Sequence, residues 1–340
     1  MKKYKWNLIT VLLLAMVMVA ILFGIGESGD VVTSLKLIDI KWIGIGLIFV
    51  ILYLGVETII QYMLTNKMQK GNSKWNAFKV VMTGQFFNAI TPFASGGQPM
   101  QAFIMSRQGV PVGISVSILM TKFIVYQIIL TVYSIIVLCL QLPFFSEKVD
   151  KVIYLAVIGF TINFIIVGIL LASVFMQHTL KKLGFWGVNI FTKMHMIKNP
   201  GQTKRHIIEQ IDLFSSNIKL LTKNLDLLFK VSGLTIMQLT AYFMIPYVIY
   251  RAFGLDGTKI FLIISAAAFI VMISSFIPIP GGSGVAEGSF YLFFSLFFPN
   301  NILPTAILCW RLLTFYIPLC IGGIMTVLPD KKGISRVMDS

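Results

Sequence analysis

Two glycine- and proline-rich breaks set inside apolar stretches restrict the fold of this chain more than any other feature. The first, PFASGGQP (Pro92 to Pro99), separates Ala77 to Thr91 from Met100 to Arg107. The second, PIPGGSG (Pro278 to Gly284), separates Ile260 to Ile277 from Val285 to Phe298. In lipid every backbone amide must be satisfied within its own helix over about 20 residues, and Pro-Gly-Gly sequences break that ladder. Such a break survives only where protein or water surrounds it. Each reads as the tip of a helical hairpin or a discontinuous helix, the place where secondary transporters hold substrate. A tight turn at the membrane surface is the competing reading.

With 57% hydrophobic and only 12% charged residues among 340, and a mean hydropathy of +0.86, the chain departs far from soluble usage. The fold class expected is an all-α polytopic membrane protein. Cys139, Cys309 and Cys320 lie in apolar runs without CxxC spacing, and His178, His195 and His206 are scattered through one basic loop, so neither a disulfide framework nor a metal site is indicated. No Walker A, no dinucleotide fingerprint in its strand-helix context and no nucleophile with a placed base occurs. No catalytic residue and no cofactor is therefore expected.

In chain order the expected spans are Asn7 to Ile25, Trp42 to Leu64, the first broken segment, Gly113 to Leu140, Val152 to Val174, Val231 to Phe253, the second broken segment and Ile302 to Leu328. Most Lys and Arg then fall on the side of Lys2, Lys3 and Lys5, which places both termini in the cytoplasm of a cell-membrane protein. The formal excess of +15 gathers on that face and suits anionic lipid rather than nucleic acid. The longest polar stretch, 177–230, is a basic cytoplasmic loop. Within it Ile207, Ile211, Phe214, Ile218 and Leu221 share one helical face, as in an interfacial helix or one covering the bundle.

Helix, helix, broken hairpin and helix occur twice with opposite orientation, which divides a single transmembrane domain (1–340) into inverted repeats over 1–140 and 150–330. Gly97 precedes Lys122 by 25 residues and Gly282 precedes Arg311 by 29, an offset of about one helical turn.

Glu57, Lys122, Glu287 and Arg311 are the ionisable residues expected within spans or hairpins. A charge at bilayer depth costs at least ~2.5 to 3.5 kcal/mol, so each should face a partner or a hydrated cavity. Two roles fit: Glu57 with Lys122 and Glu287 with Arg311 as structural ion pairs, or the cations as receptors for an anion. Tyr53, Glu57 and Gln61 line one face of the second span and Ser115, Lys122, Tyr126 and Tyr133 a face of the third, so these stripes can meet. Ser95 or Gly97 would cap one half-helix and Ser283 or Gly284 another, presenting free amides to a phosphate or carboxylate; Glu287 could instead complement the dipole of its own half-helix. The candidate substrate-binding set is Glu57, Ser95, Gly96, Gly97, Gln98, Lys122, Gly281, Gly282, Ser283, Glu287 and Arg311.

At these residues the sequence resembles a known family. GQFFNAITPFASGGQP followed by Arg107 and Gly-Val-Pro, and later SSFIPIPGGSGVAEGSF, are similar to the paired motifs of the lysylphosphatidylglycerol synthase transmembrane (flippase-like) family, from Trp6 to about Leu328. The resemblance implies a membrane domain with broken helices that moves lipids such as aminoacylated phosphatidylglycerol between leaflets. Pro92, Gly96, Gly97, Pro99, Pro278, Pro280, Gly281, Gly282, Gly284 and Glu287 carry over by motif. Full-length members add a cytosolic acyltransferase-like domain that uses aminoacyl-tRNA. This chain stops at Ser340, so a stand-alone member is expected, with an anionic or aminoacylated phospholipid as partner and a separate cytosolic synthase or envelope enzyme able to dock. The expected function is lipid flippase-like transport of a phosphate-bearing lipid. The alternatives are the membrane subunit of a phosphatidylglycerol lysyltransferase and a component of a polyprenyl-phosphate glycan pathway.

Overall fold

A computed structural model describes residues 33–148, 152–175, isolated positions between 179 and 192, and 200–274, 280–282 and 284–329. The expected first helix and Ser283 lie outside the described residues. Every regular element among the described residues is helical. Helix α1 (Ile40–Met68) starts behind Asp39, whose carboxylate accepts from the Lys41 amide. Its 29 residues span roughly 44 Å, more than the ~30 Å hydrocarbon core. Ser73 caps α2 (Lys74–Ile90) in the same way. That helix stops because Thr91 precedes a proline, which disfavours the α region; Thr91 sits at φ −116°, ψ 145°. A 3₁₀ turn (Pro92–Ala94) leads to α3 (Gly97–Arg107), and α4 (Val112–Lys148) and α5 (Val152–Phe175) follow.

Amphipathic α6 (Pro200–Lys223) precedes α7 (Leu225–Ala252), which Asn224 caps through the Leu227 amide. The second hairpin is α8 (Ile260–Ser274), a 3₁₀ turn (Pro280–Gly282) and α9 (Val285–Phe294). The last span is α10 (Leu303–Arg311), a π-helical turn (Leu312–Tyr316) and α11 (Ile317–Val327). Among the described residues, four helical stretches are long and apolar enough to cross a membrane: Ile40–Met68, Val112–Gln141, Leu225–Ala252 and Leu303–Val327.

In lipid, apolar surface gives little drive for helices to associate, so close packing through small residues must hold them together. Helix α1 lies along α7, and Gly46 leaves room for the Leu313 side chain. Helix α11 lies on α2, where Gly322 lets the Met82 carbonyl approach. The second hairpin rests on an aromatic block in which Phe269 stacks on Phe293 at 5.3 Å and Phe145 meets both edge-on. Each such pair adds about 0.5–1.5 kcal/mol and fixes the hairpin's angle. Ile48, Ile51, Phe164 and Ile169 stay exposed, as residues facing acyl chains do.

Helix α6 settles one alternative left open by its periodicity. Phe214, Ile218 and Leu221 are buried, the first two against Ile124 of α4. Gln210 Oε1 accepts the Gly113 amide at 2.7 Å, and a Cβ on Gly113 would strike the Gln210 carbonyl. The helix covers the bundle.

The turns of the two hairpins touch each other. Each contains two successive left-handed residues: Phe93 (φ 56°) and Ala94 (φ 51°) in the first, Gly281 (φ 65°) and Gly282 (φ 61°) in the second. The Gly96-Gly97 pair is therefore not the conformational counterpart of Gly281-Gly282. By backbone shape that counterpart is Phe93-Ala94, three residues earlier. In this register Ala94 precedes Lys122 by 28 residues and Gly282 precedes Arg311 by 29, which removes most of the offset seen in the sequence.

Candidate functional site

Two buried ion pairs stand behind the hairpin tips. Glu57 of α1 takes Lys122 Nζ of α4 on Oε1 at 3.1 Å and Gln85 Nε2 of α2 on Oε2 at 2.8 Å. The polar stripes of α1 and α4 thus meet at Glu57 and Lys122. Tyr53 instead packs its ring on Tyr242 at 5.2 Å, Ser115 bonds its own helix start at Val110 and Pro111, and Tyr133 meets Thr240 of α7.

The second pair ties a whole break together. Glu287, third residue of α9, accepts the Gly284 amide on Oε2 at 2.6 Å, closing the helix start from within. Its Oε1 lies 2.7 Å from Arg311 Nε. That contact is ionic rather than an aligned hydrogen bond, because neither atom has a partner in standard hydrogen-bond geometry. The remaining guanidinium nitrogens donate to the Gly281 carbonyl at 3.2 Å and the Gly282 carbonyl at 3.5 Å. Trp310 and Phe315 flank the guanidinium at 5.1 and 5.3 Å, the reach of cation–π attraction. Arg311, 4% exposed, meets its desolvation cost through these contacts together.

A cavity of about 210 Å³ lies between the hairpins, lined by Gln85 and Asn88 of α2, Ala94 of the first tip, Gly281 and Gly282 of the second, and Arg311. Tyr242, Trp310, Thr314 and Phe315 close its other walls. Thr314 and Phe315 belong to the π turn after Arg311, an irregularity that occurs mostly at functional positions. Gln85 both lines the cavity and holds Glu57, so the Glu57–Lys122 pair stands directly behind the cavity wall.

The sequence-derived residues divide accordingly. Gly281, Gly282, Glu287 and Arg311 form one cluster, with Glu57 and Lys122 beside it. Gly97 is buried under the Asn88 carboxamide, with which a Cβ there would collide. The expected caps are corrected at the first break: α3 starts behind Gly96, whose amide goes to Thr91 Oγ1 at 2.9 Å. Ser95 Oγ donates to the Pro92 carbonyl at 2.8 Å, within the turn, because the helix begins one residue too late for Ser95 to cap it. Gln98 is exposed in the first turn of α3. The four charges expected within spans or hairpins are joined by one more buried cation among the described residues. Lys79 on α2, 2% exposed, donates to the Leu328 carbonyl at 2.6 Å and so ties α2 to the end of α11. Sequence reading missed Gln85 and Asn88, although both stand just before the break in GQFFNAI, one helical turn apart.

Fold and site together define a polytopic membrane protein with two broken helical hairpins whose tips share a small, partly open cavity. The family model described as Lysylphosphatidylglycerol synthase TM region matches residues 7–322, and the chain belongs to that family. Among its relatives are a UPF0104 membrane protein of Archaeoglobus fulgidus, 26% identical over 77% of this chain and 78% of its own length, and one of Methanothermobacter thermautotrophicus, 23% identical over 93% and 92%. A Mycoplasma pneumoniae protein described as an MG306 homolog is 24% identical over 95% of this chain and 89% of its own.

Proposed function

We propose that the protein is a lipid flippase-like transporter, carrying the head group of a phosphate-bearing lipid, such as lysylphosphatidylglycerol, between leaflets through the cavity while the acyl chains stay in the bilayer. The observation that carries this reading is the shared lining: both hairpin tips contribute to one cavity whose single charged lining side chain, among the described residues, is Arg311. At about 210 Å³ it falls below the roughly 300–1,000 Å³ of drug-sized pockets, which suits a small head group and not a glycan. The matched lengths of α2 and α8 (17 and 15 residues) and of α3 and α9 (11 and 10) support two inverted repeats rocking about that cavity. Their carboxylates break the symmetry, since Glu57 precedes the first break and Glu287 follows the second. In this reading the termini and α6 are cytoplasmic, and the candidate residues act in binding through the two ion pairs.

The test is reconstitution of the purified protein into liposomes holding an acyl-chain-labelled phospholipid, followed by a leaflet-selective quencher. Protein-dependent loss of the protected inner-leaflet signal is expected. Protection equal to that of protein-free liposomes would end the transport reading. A second reading, a membrane subunit of a lysyltransferase, is favoured by the family's description alone.

A further inference from the structure

Between α1, α2 and α3 runs a polar seam that the two ion pairs do not account for. Glu57, Gln61, Thr65 and Gln69 recur every fourth residue along one side of α1, over roughly 18 Å at the helical rise per residue. Gln101 and Met105 of α3 and Gln108 at its end, spaced by four and three, share the facing side and are buried. Side chains join the two rows. Gln61 Nε2 donates to Thr65 Oγ1 at 3.2 Å and to Met105 Sδ at 3.5 Å, and Gln69 Nε2 donates to the Gly109 carbonyl at 3.2 Å. Helix α2 closes the seam at both ends, through Gln85 on Glu57 at 2.8 Å and through the Asn76 carbonyl, which accepts Gln108 Nε2 at 3.3 Å. One end is therefore the cavity wall, where Gln85 stands. The other is the turn between α1 and α2.

The seam is buried but poorly satisfied. Gln61 is 0% exposed, yet its Oε1 has no hydrogen-bond partner among the described residues. The same holds for Gln69 Oε1, Asn72 Oδ1 and both ends of the Asn76 carboxamide, so five of the eleven such atoms among the described residues gather here. A polar atom sealed away without a partner opposes folding, whereas an apolar side chain of the same size would not. The second hairpin uses that apolar solution: α8 and α9 meet through the stacked rings of Phe269 and Phe293. The outer mouth of the seam is basic. Lys67, Lys70 and Lys74 are exposed about the turn from α1 to α2, and the chain has no acidic residue between Glu57 and Glu147.

We infer that this seam opens to pass the head group of an anionic phospholipid between the leaflet at the Lys67, Lys70 and Lys74 end and the cavity, with Gln61 and Asn76 as the residues that meet it on the way. The lysines gather the phosphate by charge. Inside, each carboxamide offers both a donor and an acceptor and so replaces the water that the head group gives up. No side chain between Glu57 and the mouth carries a charge that would trap it. The atoms that lack partners in the closed seam gain them when it opens. The inference rests on the transport reading and deepens it, because it names the route by which a head group reaches the cavity.

A first experiment reads the seam without reference to transport. In a chain with Cys139, Cys309 and Cys320 replaced by alanine, Gln61→Cys in lipid nanodiscs should react with a small water-soluble thiol reagent at least about tenfold faster than Leu64→Cys. Leu64 is equally buried but belongs to the apolar cluster, so general unfolding would expose both alike. Equal rates would overturn the inference. A second experiment uses acyl-labelled phosphatidylglycerol in proteoliposomes with a leaflet-selective quencher. Gln61→Leu and Asn76→Leu should melt no lower than the wild type, since each removes an unpartnered group, and should move the lipid at least about tenfold more slowly. Wild-type rates in both variants, or slowing that comes only with a lower melting temperature, would overturn the inference and assign the carboxamides to packing. If the wild type moves no lipid, the transport reading falls and the thiol rates decide the seam: selective reaction at position 61 keeps it as an opening path, and equal rates end it.

Discussion

Glu57 and Lys122 are unequal partners. Glu57 keeps a second donor in Gln85 when Lys122 is removed, whereas among the described residues Lys122 has only Glu57. Breaking a buried pair costs about 3–5 kcal/mol because the survivor is stranded. Glu57→Gln should therefore destabilise the protein in detergent more than Lys122→Met, and the double variant should regain much of the loss. A double variant less stable than both singles would show that the pair is not what sets these costs. Gly281 gives a second prediction. At φ 65°, with Phe315 in the way of any Cβ, alanine there should cost about 1–3 kcal/mol, measured as thermal stability alongside lipid movement. The ion pairs were legible in the sequence because charges at membrane depth must be matched. Gln85, Asn88 and Thr314 were not, because a neutral polar side chain in an apolar run carries no such obligation until its neighbours are known.

At the scale of elements, the spans among the described residues and both breaks followed from hydropathy and from proline and glycine, with boundaries shifted by up to eight residues, at the end of α4. Register did not follow. Two Gly-Gly pairs invite alignment, yet the chain places its left-handed residues at Phe93-Ala94 in one tip and Gly281-Gly282 in the other. A bulky residue in that conformation is paid for by surrounding contacts that no local pattern reveals. The side on which α6 packs was equally hidden, since an amphipathic face fits lipid and protein alike. Contact between α2 and α11 depends on Gly322, so Gly322→Leu should push α11 off Met82 and Phe86 and destabilise the protein by about 1–3 kcal/mol. Gly323→Ala, whose Cβ would sit 3.4 Å from Phe86, should be near neutral by the same melting measurement. Equal effects of the two would mean that this helix contact is not close-packed.

For the whole molecule, topology and transport are the claims that join these parts. With the basic face cytoplasmic, single cysteines at Glu147 and Gly257 should react with an impermeant reagent added outside intact cells, and one at Lys70 should not. Labelling of position 70 from outside would reverse the orientation. Class and family were within reach of the sequence, while the shared cavity was not, because it arises only where two hairpins 190 residues apart in the chain (Pro92 to Gly282) bring their turns together. The most direct measurement fills that cavity. Ala94 lines it at the first tip and is already left-handed, so Ala94→Trp adds bulk without a new kind of backbone strain. In proteoliposomes the wild type should expose labelled inner-leaflet lipid to the quencher, and Ala94→Trp, inserted in equal amount and melting at a similar temperature, should leave it protected. Equal exposure by the two proteins would contradict a path for the head group through this cavity.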